Sequence, residues 1–156
     1  MDITLSEPEK AWLAGFVDGE GYIGITYQIK KETNSSSASD IYHPLLIIVN
    51  TNKEALEYIR RIMCAGTIYD GKLPKKNEKP SYQYKVSKRD DILVILRLIL
   101  PYLKIKKRQG NLLIKFIERR KNIKPITGRG HRGASSYSEI DRKIYEELLL
   151  LNKRGV

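Results

Sequence analysis

Hydrophobic residues recur along this chain with two different spacings, and each spacing predicts a different element. Between residues 7 and 18 apolar residues lie three and four positions apart, which predicts an amphipathic helix that Ser6 and Glu9 open with a capping box. From 22 to 31 the pattern changes to strict alternation, which predicts a half-buried strand. Residues 42–50 are more continuously apolar and predict a second strand, reached through a Ser-rich loop.

The next part of the chain repeats this order. Thr51 and Glu54 form a capping box that predicts a helix ending near Cys64. Residues 67–70 and 81–87 then predict a second hairpin around a Lys-rich loop. We therefore expect an α+β fold of the order αββαββα, in which helices pack on one face of a saddle-shaped antiparallel sheet and the other, polar face points outward.

Helices are also predicted after the second hairpin. The apolar spacing favours helices over 88–100 and 108–121, and Ser138 is the expected N-cap of a last helix whose stripe is Ile140, Ile144, Leu148 and Leu151. A length of 156 residues fits one domain. Within it we expect a core at 1–121, a basic flexible loop at 122–137 and a C-terminal helix at 138–153.

The charge of the chain indicates a polyanionic partner. There are 29 Lys and Arg against 18 Asp and Glu, a net charge of +11, and the sequence pI is about 9.7. Nucleic acid is the first expectation. A membrane is not expected, since no apolar run approaches the ~18–20 residues of a spanning helix. The absence of a secretion signal and the single cysteine, Cys64, favour an intracellular location, cytoplasmic or organellar.

Residues 12–21 read Trp-Leu-Ala-Gly-Phe-Val-Asp-Gly-Glu-Gly and carry the most informative chemistry. Asp18 and Glu20 lie at the C-terminal end of the first helix, where negative charge is unfavourable unless a cation compensates it. A divalent metal ion would do so. The small residues Ala14, Gly15 and Gly19 would let a second helix approach closely.

Residues 13–21 resemble the signature of the LAGLIDADG homing endonucleases over all nine positions. The order of helices and hairpins resembles that family too, and a single motif copy resembles its homodimeric class. The resemblance implies a site-specific double-strand DNA homing endonuclease that hydrolyses phosphodiesters at a long, near-palindromic site. It also implies that the motif helices of two copies meet through Trp12, Leu13, Gly15, Phe16 and Gly19.

The resemblance further implies a catalytic centre at the end of the motif helix. Glu20 and the backbone carbonyl of Gly19 would hold Mg²⁺, whereas Asp18 is expected to be structural. Lys106, in the run Pro-Tyr-Leu-Lys-Ile-Lys, matches the family's lysine that stabilises phosphate charge or organises the nucleophilic water. A polar residue is also expected where the second strand meets the second helix. Asn50, Thr51 and Asn52 are the candidates there, and Asn50 is favoured.

DNA contacts implied by the resemblance lie on the polar face of the strands and on basic loops. They are Gly24, Thr26, Gln28, Lys30, Tyr69, Gln83, Lys85, Lys107, Arg108, Arg129 and Arg132. Lys and Gln side chains can read purine edges in the major groove, and lysines and arginines in loops can contact phosphates.

Two other functions use the same fold. One is an intron-splicing maturase, with the protein's own intron RNA as a possible partner, and the other is a non-catalytic DNA-binding regulator. The intact acid Glu20 favours the nuclease. A generic basic RNA-binding domain is poorly supported, because the sequence shows neither a Gly-x-x-Gly loop of the right kind nor paired aromatic residues for stacking bases.

Overall fold

A computed structural model describes residues 3–34, 39–123 and 137–153. In chain order the elements are α1 (Glu7–Glu20), β1 (Gly21–Lys30), β2 (Ser39–Asn50), α2 (Lys53–Met63), β3 (Thr67–Asp70), β4 (Tyr82–Val86), α3 (Arg89–Ile99), α4 (Lys107–Lys121) and α5 (Glu139–Leu151). The predicted α+β order is confirmed. In the described part of the chain, no helix is both long and apolar enough to cross a membrane.

The four strands form one antiparallel sheet in the order β1-β2-β4-β3. Because strand side chains alternate between faces, one face of the sheet carries the residues that pack against the helices. Ile23 on β1, Leu46 and Ile48 on β2, and Tyr84 on β4 are all at most 1% exposed and belong to the hydrophobic core. This layering leaves the opposite face, called the outer face below, uncovered by that core.

The helix α1 begins and ends as its local chemistry dictates. Both halves of the predicted capping box form, since Glu9 N donates to Ser6 Oγ and Ser6 N donates to Glu9 Oε2. The helix continues to Glu20, and β1 starts at the next residue, Gly21. A Cβ on Gly21 would lie 2.5 Å from the carbonyl oxygen of Val17, so the direct passage from helix to strand requires glycine.

The start of α2 differs from the prediction. Asn52 is the N-cap, and its side chain accepts a hydrogen bond of 3.1 Å from Ala55 N. The capping box predicted from Thr51 and Glu54 is therefore wrong. Asn is as good an N-cap as Thr. Because the strand β2 continues through Asn50, the cap of α2 lies one residue later than predicted, at Asn52.

The last helix, α5, is held to α4 by a buried carboxylate. Asp141 is fully buried and lies 3.2 Å from Arg119 Nε and 3.3 Å from Arg120 Nη1. Ser138 caps α5 as predicted, and its backbone N–H donates to Asp141 at 2.8 Å. Ile144 and Leu148 face the core, but Ile140 is 47% exposed, which contradicts its prediction as part of the buried stripe. Asp141 occupies the buried place in that turn.

Candidate functional site

The predicted metal ligands lie at an exposed helix end. Gly19 and Glu20 are both exposed at the C-terminus of α1, where the backbone carbonyls carry partial negative charge. The ammonium group of Lys106 donates a hydrogen bond to the backbone oxygen of Asp18 at this same helix end. A cation of the protein itself therefore balances part of the negative charge beside Glu20.

Asp18 is a structural residue, as expected. Its Oδ2 accepts hydrogen bonds from Lys104 N at 2.7 Å and Ile105 N at 3.2 Å, and its Oδ1 accepts from Lys106 N at 2.9 Å. Burial by itself raises the pKa of this carboxyl, but the three backbone N–H groups and the charge of Lys106 outweigh it and hold the pKa below its ordinary value. Asp18 thus fixes the Lys106 backbone against the end of α1.

Asn50 lies at the same end of the sheet as Glu20. Gly21 pairs with Ile48, so Asn50 is two residues further along β2 in the direction of α1. Its side-chain oxygen accepts a hydrogen bond of 2.8 Å from Asn52 N at the junction with α2. The structure therefore brings the three predicted catalytic residues, Glu20, Lys106 and Asn50, to one end of the molecule.

The donor set at this end suits a hard cation but is incomplete in one chain. Among the described residues, no group of three or more His, Cys, Asp or Glu side chains could enclose a metal ion. A carboxylate and a backbone carbonyl are oxygen ligands of the kind Mg²⁺ takes, and Mg²⁺ commonly keeps several waters and binds substrate phosphates. Glu20 and Gly19 fit a metal that completes its coordination from water and DNA.

The exposed side of α1 is lined by glycine. At Gly15 and Gly19, apart from their own helix, no atom of the described chain lies within 4 Å of where a Cβ would be. Trp12 is 40% exposed and lies beside Phe16, with ring centroids 5.3 Å apart. Leu13, in contrast, is 1% exposed and packs in the core. The prediction that Leu13 lies at a dimer contact is wrong, because the helix turns it inward.

The strand register places most of the predicted DNA contacts on the outer face. Thr26, Gln28 and Lys30 are exposed on β1, and Tyr69 on β3 is 50% exposed. Tyr69 pairs with Gln83 and lies on the same face as Gln83 and Lys85, which are half-buried. The described strand residues of this face include Lys30 and Lys85 but no Asp or Glu.

Gly24 does not provide a DNA contact surface. It is buried, and the Tyr22 hydroxyl oxygen lies 2.4 Å from the position a Cβ on Gly24 would take. The Tyr22 side chain therefore lies over Gly24. This contradicts the predicted contact at Gly24 and brings in Tyr22, a residue of the outer face that the sequence analysis missed. Desolvation by burial raises the pKa of the Tyr22 hydroxyl.

The outer face is also less uniformly polar than expected. Pairing with β1 and β4 turns His43, Leu45, Ile47 and Val49 of β2 to this face, and Val49 is 42% exposed. The continuous apolar run of β2 concealed this arrangement, because a strand that is apolar on both sides shows no alternation. These residues are identified by the pairing of β2 with Thr26 and with Lys85, and that pairing is known only from the structure.

The basic residues predicted to contact phosphates differ in whether their side chains are already bound within the chain. Lys107 is exposed in the first turn of α4, whereas Arg108 is bound to Glu147 of α5 through its Nε at 2.9 Å. Arg108 therefore ties α5 to α4, and a DNA contact there would compete with an ion pair. Arg129 and Arg132 lie outside the described residues.

Ion pairs neutralise part of the charge on the helical layer. Lys121 pairs with Asp90 across α4 and α3 at 2.6 Å, and Arg97 pairs with Glu118. The described strand residues of the outer face carry Lys30 and Lys85 without a carboxylate, so that face has a net positive charge.

Known proteins resemble this chain in sequence and in fold. A family model described as LAGLIDADG endonuclease matches residues 13–123. The DNA endonuclease I-CvuI of Chlorella vulgaris is 30% identical over 115 residues, a segment that covers 73% of this chain and 66% of that relative. The matched segment thus spans slightly less than two thirds of the relative's length.

Solved structures show the same fold. I-CvuI in complex with the I-CreI target superimposes with a TM-score of 0.66 at 21% identity, covering 96% of this chain and 87% of that chain. The archaeal intron-encoded homing endonuclease I-Vdi141I, complexed with DNA, superimposes with a TM-score of 0.70 at 18% identity, again over 96% and 87% of the two chains.

Proposed function

Because this chain belongs to the LAGLIDADG endonuclease family, we propose that it is a homing endonuclease that cuts double-stranded DNA at a specific site, with a divalent metal and as a homodimer. One observation carries the proposal. Glu20 is exposed at the end of a helix whose outward side is lined by glycine, and Lys106 donates to the same helix end.

The dimer follows from the exposed side of α1. Because Gly15 and Gly19 have no side chains, the α1 helix of a second copy can approach closely there, with Trp12 and Phe16 beside the contact. Two α1 helices that meet in this way bring two Glu20 residues near the symmetry axis. A two-fold dimer recognises two half-sites of inverted sequence, which gives a near-palindromic target.

Each chain's own residues have distinct roles at the cleavage centre. Glu20 and the Gly19 carbonyl would hold the divalent metal, for which Mg²⁺ is the proposed identity. The presence of Mg or Ca in the I-CvuI complexes supports a divalent cation. Such an ion, when bound, neutralises phosphate charge and acidifies bound water. Lys106 would place a further positive charge near the scissile phosphate, and Asn50 would orient the attacking water.

Substitution of Glu20 by Gln tests the proposal. Residues that merely support a metal ligand already contribute about 10–100-fold to activity, so loss of the ligand itself should slow cleavage by at least about a hundredfold. Binding of the target should change little, because its affinity comes from the sheet and from phosphate contacts. The measurements are single-turnover cleavage and equilibrium binding on a site selected from a randomised DNA library with Mg²⁺.

Glu139→Gln is the matched control, since Glu139 is an exposed acid in the first turn of α5. It should cut at the wild-type rate. Undiminished cleavage by Glu20→Gln would refute the catalytic role of Glu20. A wild-type protein that binds a specific site but cuts no DNA would support a non-catalytic regulator instead.

A further inference from the structure

On strands β1 and β2, the outer face of the sheet is divided along its length. Nearest to Glu20 it carries a group of apolar side chains that we name the inner platform, which consists of Tyr22, Leu45, Ile47 and Val49. Further from Glu20 the paired positions on the same face are Thr26 with His43, Gln28 with Ile41 and Lys30 with Ser39. On β1 and β2, hydrogen-bonding side chains therefore dominate only the distant part, while β4 places Gln83 and Lys85 beside the inner platform.

The inner platform is held in place by packing. Tyr22 lies over Gly24, and Leu45, which pairs with Gly24, is 6% exposed although it lies outside the hydrophobic core. Ile47 is half-buried between Tyr22 and Lys85, while Val49 remains 42% exposed beside Gln83. An apolar surface thus continues directly into Lys85 and Gln83, without an acidic residue between them.

The spacing of strand residues matches the spacing of base pairs. Tyr22 and Lys30 are eight residues apart on β1, which corresponds to about 26 Å at ~3.3 Å per residue. DNA advances about 3.4 Å per base pair, so the strand spans about eight base pairs. If the outer face lies in the major groove, the inner platform faces the base pairs nearest the cleavage centre, and Gln28 and Lys30 face the distal ones.

The chemistry of the two parts then selects different base features. Val and Ile side chains have no hydrogen-bonding groups, and the apolar feature of the major groove is the thymine methyl group. Covering the exocyclic amine of cytosine with an apolar side chain would leave that donor without a partner, which is unfavourable.

We propose that the inner platform recognises thymine methyl groups in the base pairs next to the cleavage centre, while the distal rows read their bases by hydrogen bonding. Val49 and Ile47 are the specificity-determining residues of the inner part. This inference rests on the proposed endonuclease function, because it uses the same face and the same orientation of DNA.

The experiment starts from a cleaved site selected from a randomised library. Each thymine of that site is replaced singly by deoxyuridine, which removes only the methyl group. Equilibrium binding is measured with the Glu20→Gln protein, which leaves the DNA intact. We expect affinity to fall about fourfold for a thymine in the inner part of each half-site, the effect of one buried methyl-sized group. Deoxyuridine in the distal part should change affinity less than about twofold.

Alanine variants identify which side chain contacts each thymine methyl group. Val49→Ala and Ile47→Ala should each abolish the deoxyuridine effect at one inner position and leave the others. Ile29→Ala is the matched control, because Ile29 is a 60% exposed apolar residue of β1 on the opposite face of the sheet. It should keep every deoxyuridine effect.

The outcomes separate this inference from the proposed function. If no library member is cut, the endonuclease function fails before the inner platform is tested. If a site is cut but inner deoxyuridines leave binding unchanged, the inner platform does not read methyl groups and the inference is overturned. Equal effects in wild-type and both alanine variants would overturn it as well.

Discussion

Substitution of Asp18 by Asn removes one charge from the buried contact between the end of α1 and the start of α4. The carboxylate is 9% exposed and accepts backbone hydrogen bonds from Lys104, Ile105 and Lys106. An amide can offer its oxygen to the first two, but its NH₂ group would then face the N–H of Lys106. We therefore expect one hydrogen bond to be lost and one buried donor to be left without an acceptor.

The expected loss of stability follows from these two effects. A hydrogen bond to a charged group contributes about 1.5–3 kcal/mol, and an unsatisfied buried donor costs about 1–3 kcal/mol. Since the chain can relax at Lys106, we expect the free energy of unfolding to fall by about 2–4 kcal/mol at pH 7. Asp90→Asn is the control, because Asp90 is a 61% exposed partner of Lys121; surface ion pairs contribute about 0–1 kcal/mol.

The effect of Asp18→Asn should also depend on pH. The pKa of Asp18 is lowered on folding, so its contribution is complete above the ordinary carboxyl value of 3.8 and is lost as the pH falls through the folded-state pKa. The difference between wild-type and variant should therefore shrink between pH 7 and pH 3. Urea denaturation at the two pH values measures it. A variant within about 0.5 kcal/mol of wild-type at pH 7, or a difference that stays constant down to pH 3, would refute this account.

Three further predictions concern single sites. Gly21→Ala should lower the free energy of unfolding by about 1–3 kcal/mol, because its Cβ would meet the Val17 backbone. A urea midpoint equal to that of wild-type would contradict this. Asp141→Ala should lower the free energy of unfolding by about 3–5 kcal/mol, since it removes the carboxylate that the half-buried Arg119 and the buried Arg120 share. A thermal unfolding midpoint close to that of wild-type would disprove this. Gly15→Leu should raise the dissociation constant of the proposed dimer about tenfold or more while leaving the fold intact. If the variant sediments as a dimer at the same concentration as wild-type, the α1 contact is refuted.

Much of the architecture is determined by local patterns. The apolar spacing in α1 and the alternation in β1 can each be recognised without knowledge of the rest of the chain. The same holds for the capping box at Ser6 and the N-cap at Ser138, whose hydrogen bonds join residues three apart. The alternation does not bury one whole side of β1, however, since Ile23 and Ile25 lie in the core but Ile29 is 60% exposed. The motif at the end of α1 also shows by itself where the candidate metal ligands lie.

Contacts between distant residues had to come from the tertiary structure. Asp18 receives hydrogen bonds from residues 86 to 88 positions away, and no local pattern indicates such partners. The side of α1 that Leu13 occupies depends on which helix face meets the sheet. The apolar side chains of β2 on the outer face depend on the strand register, because a strand apolar on both sides does not reveal which residues point to the core. Sequence thus determined the elements and the chemical groups of the site, while tertiary packing decided which side chains each face presents, since a face exists only once its neighbours are in place.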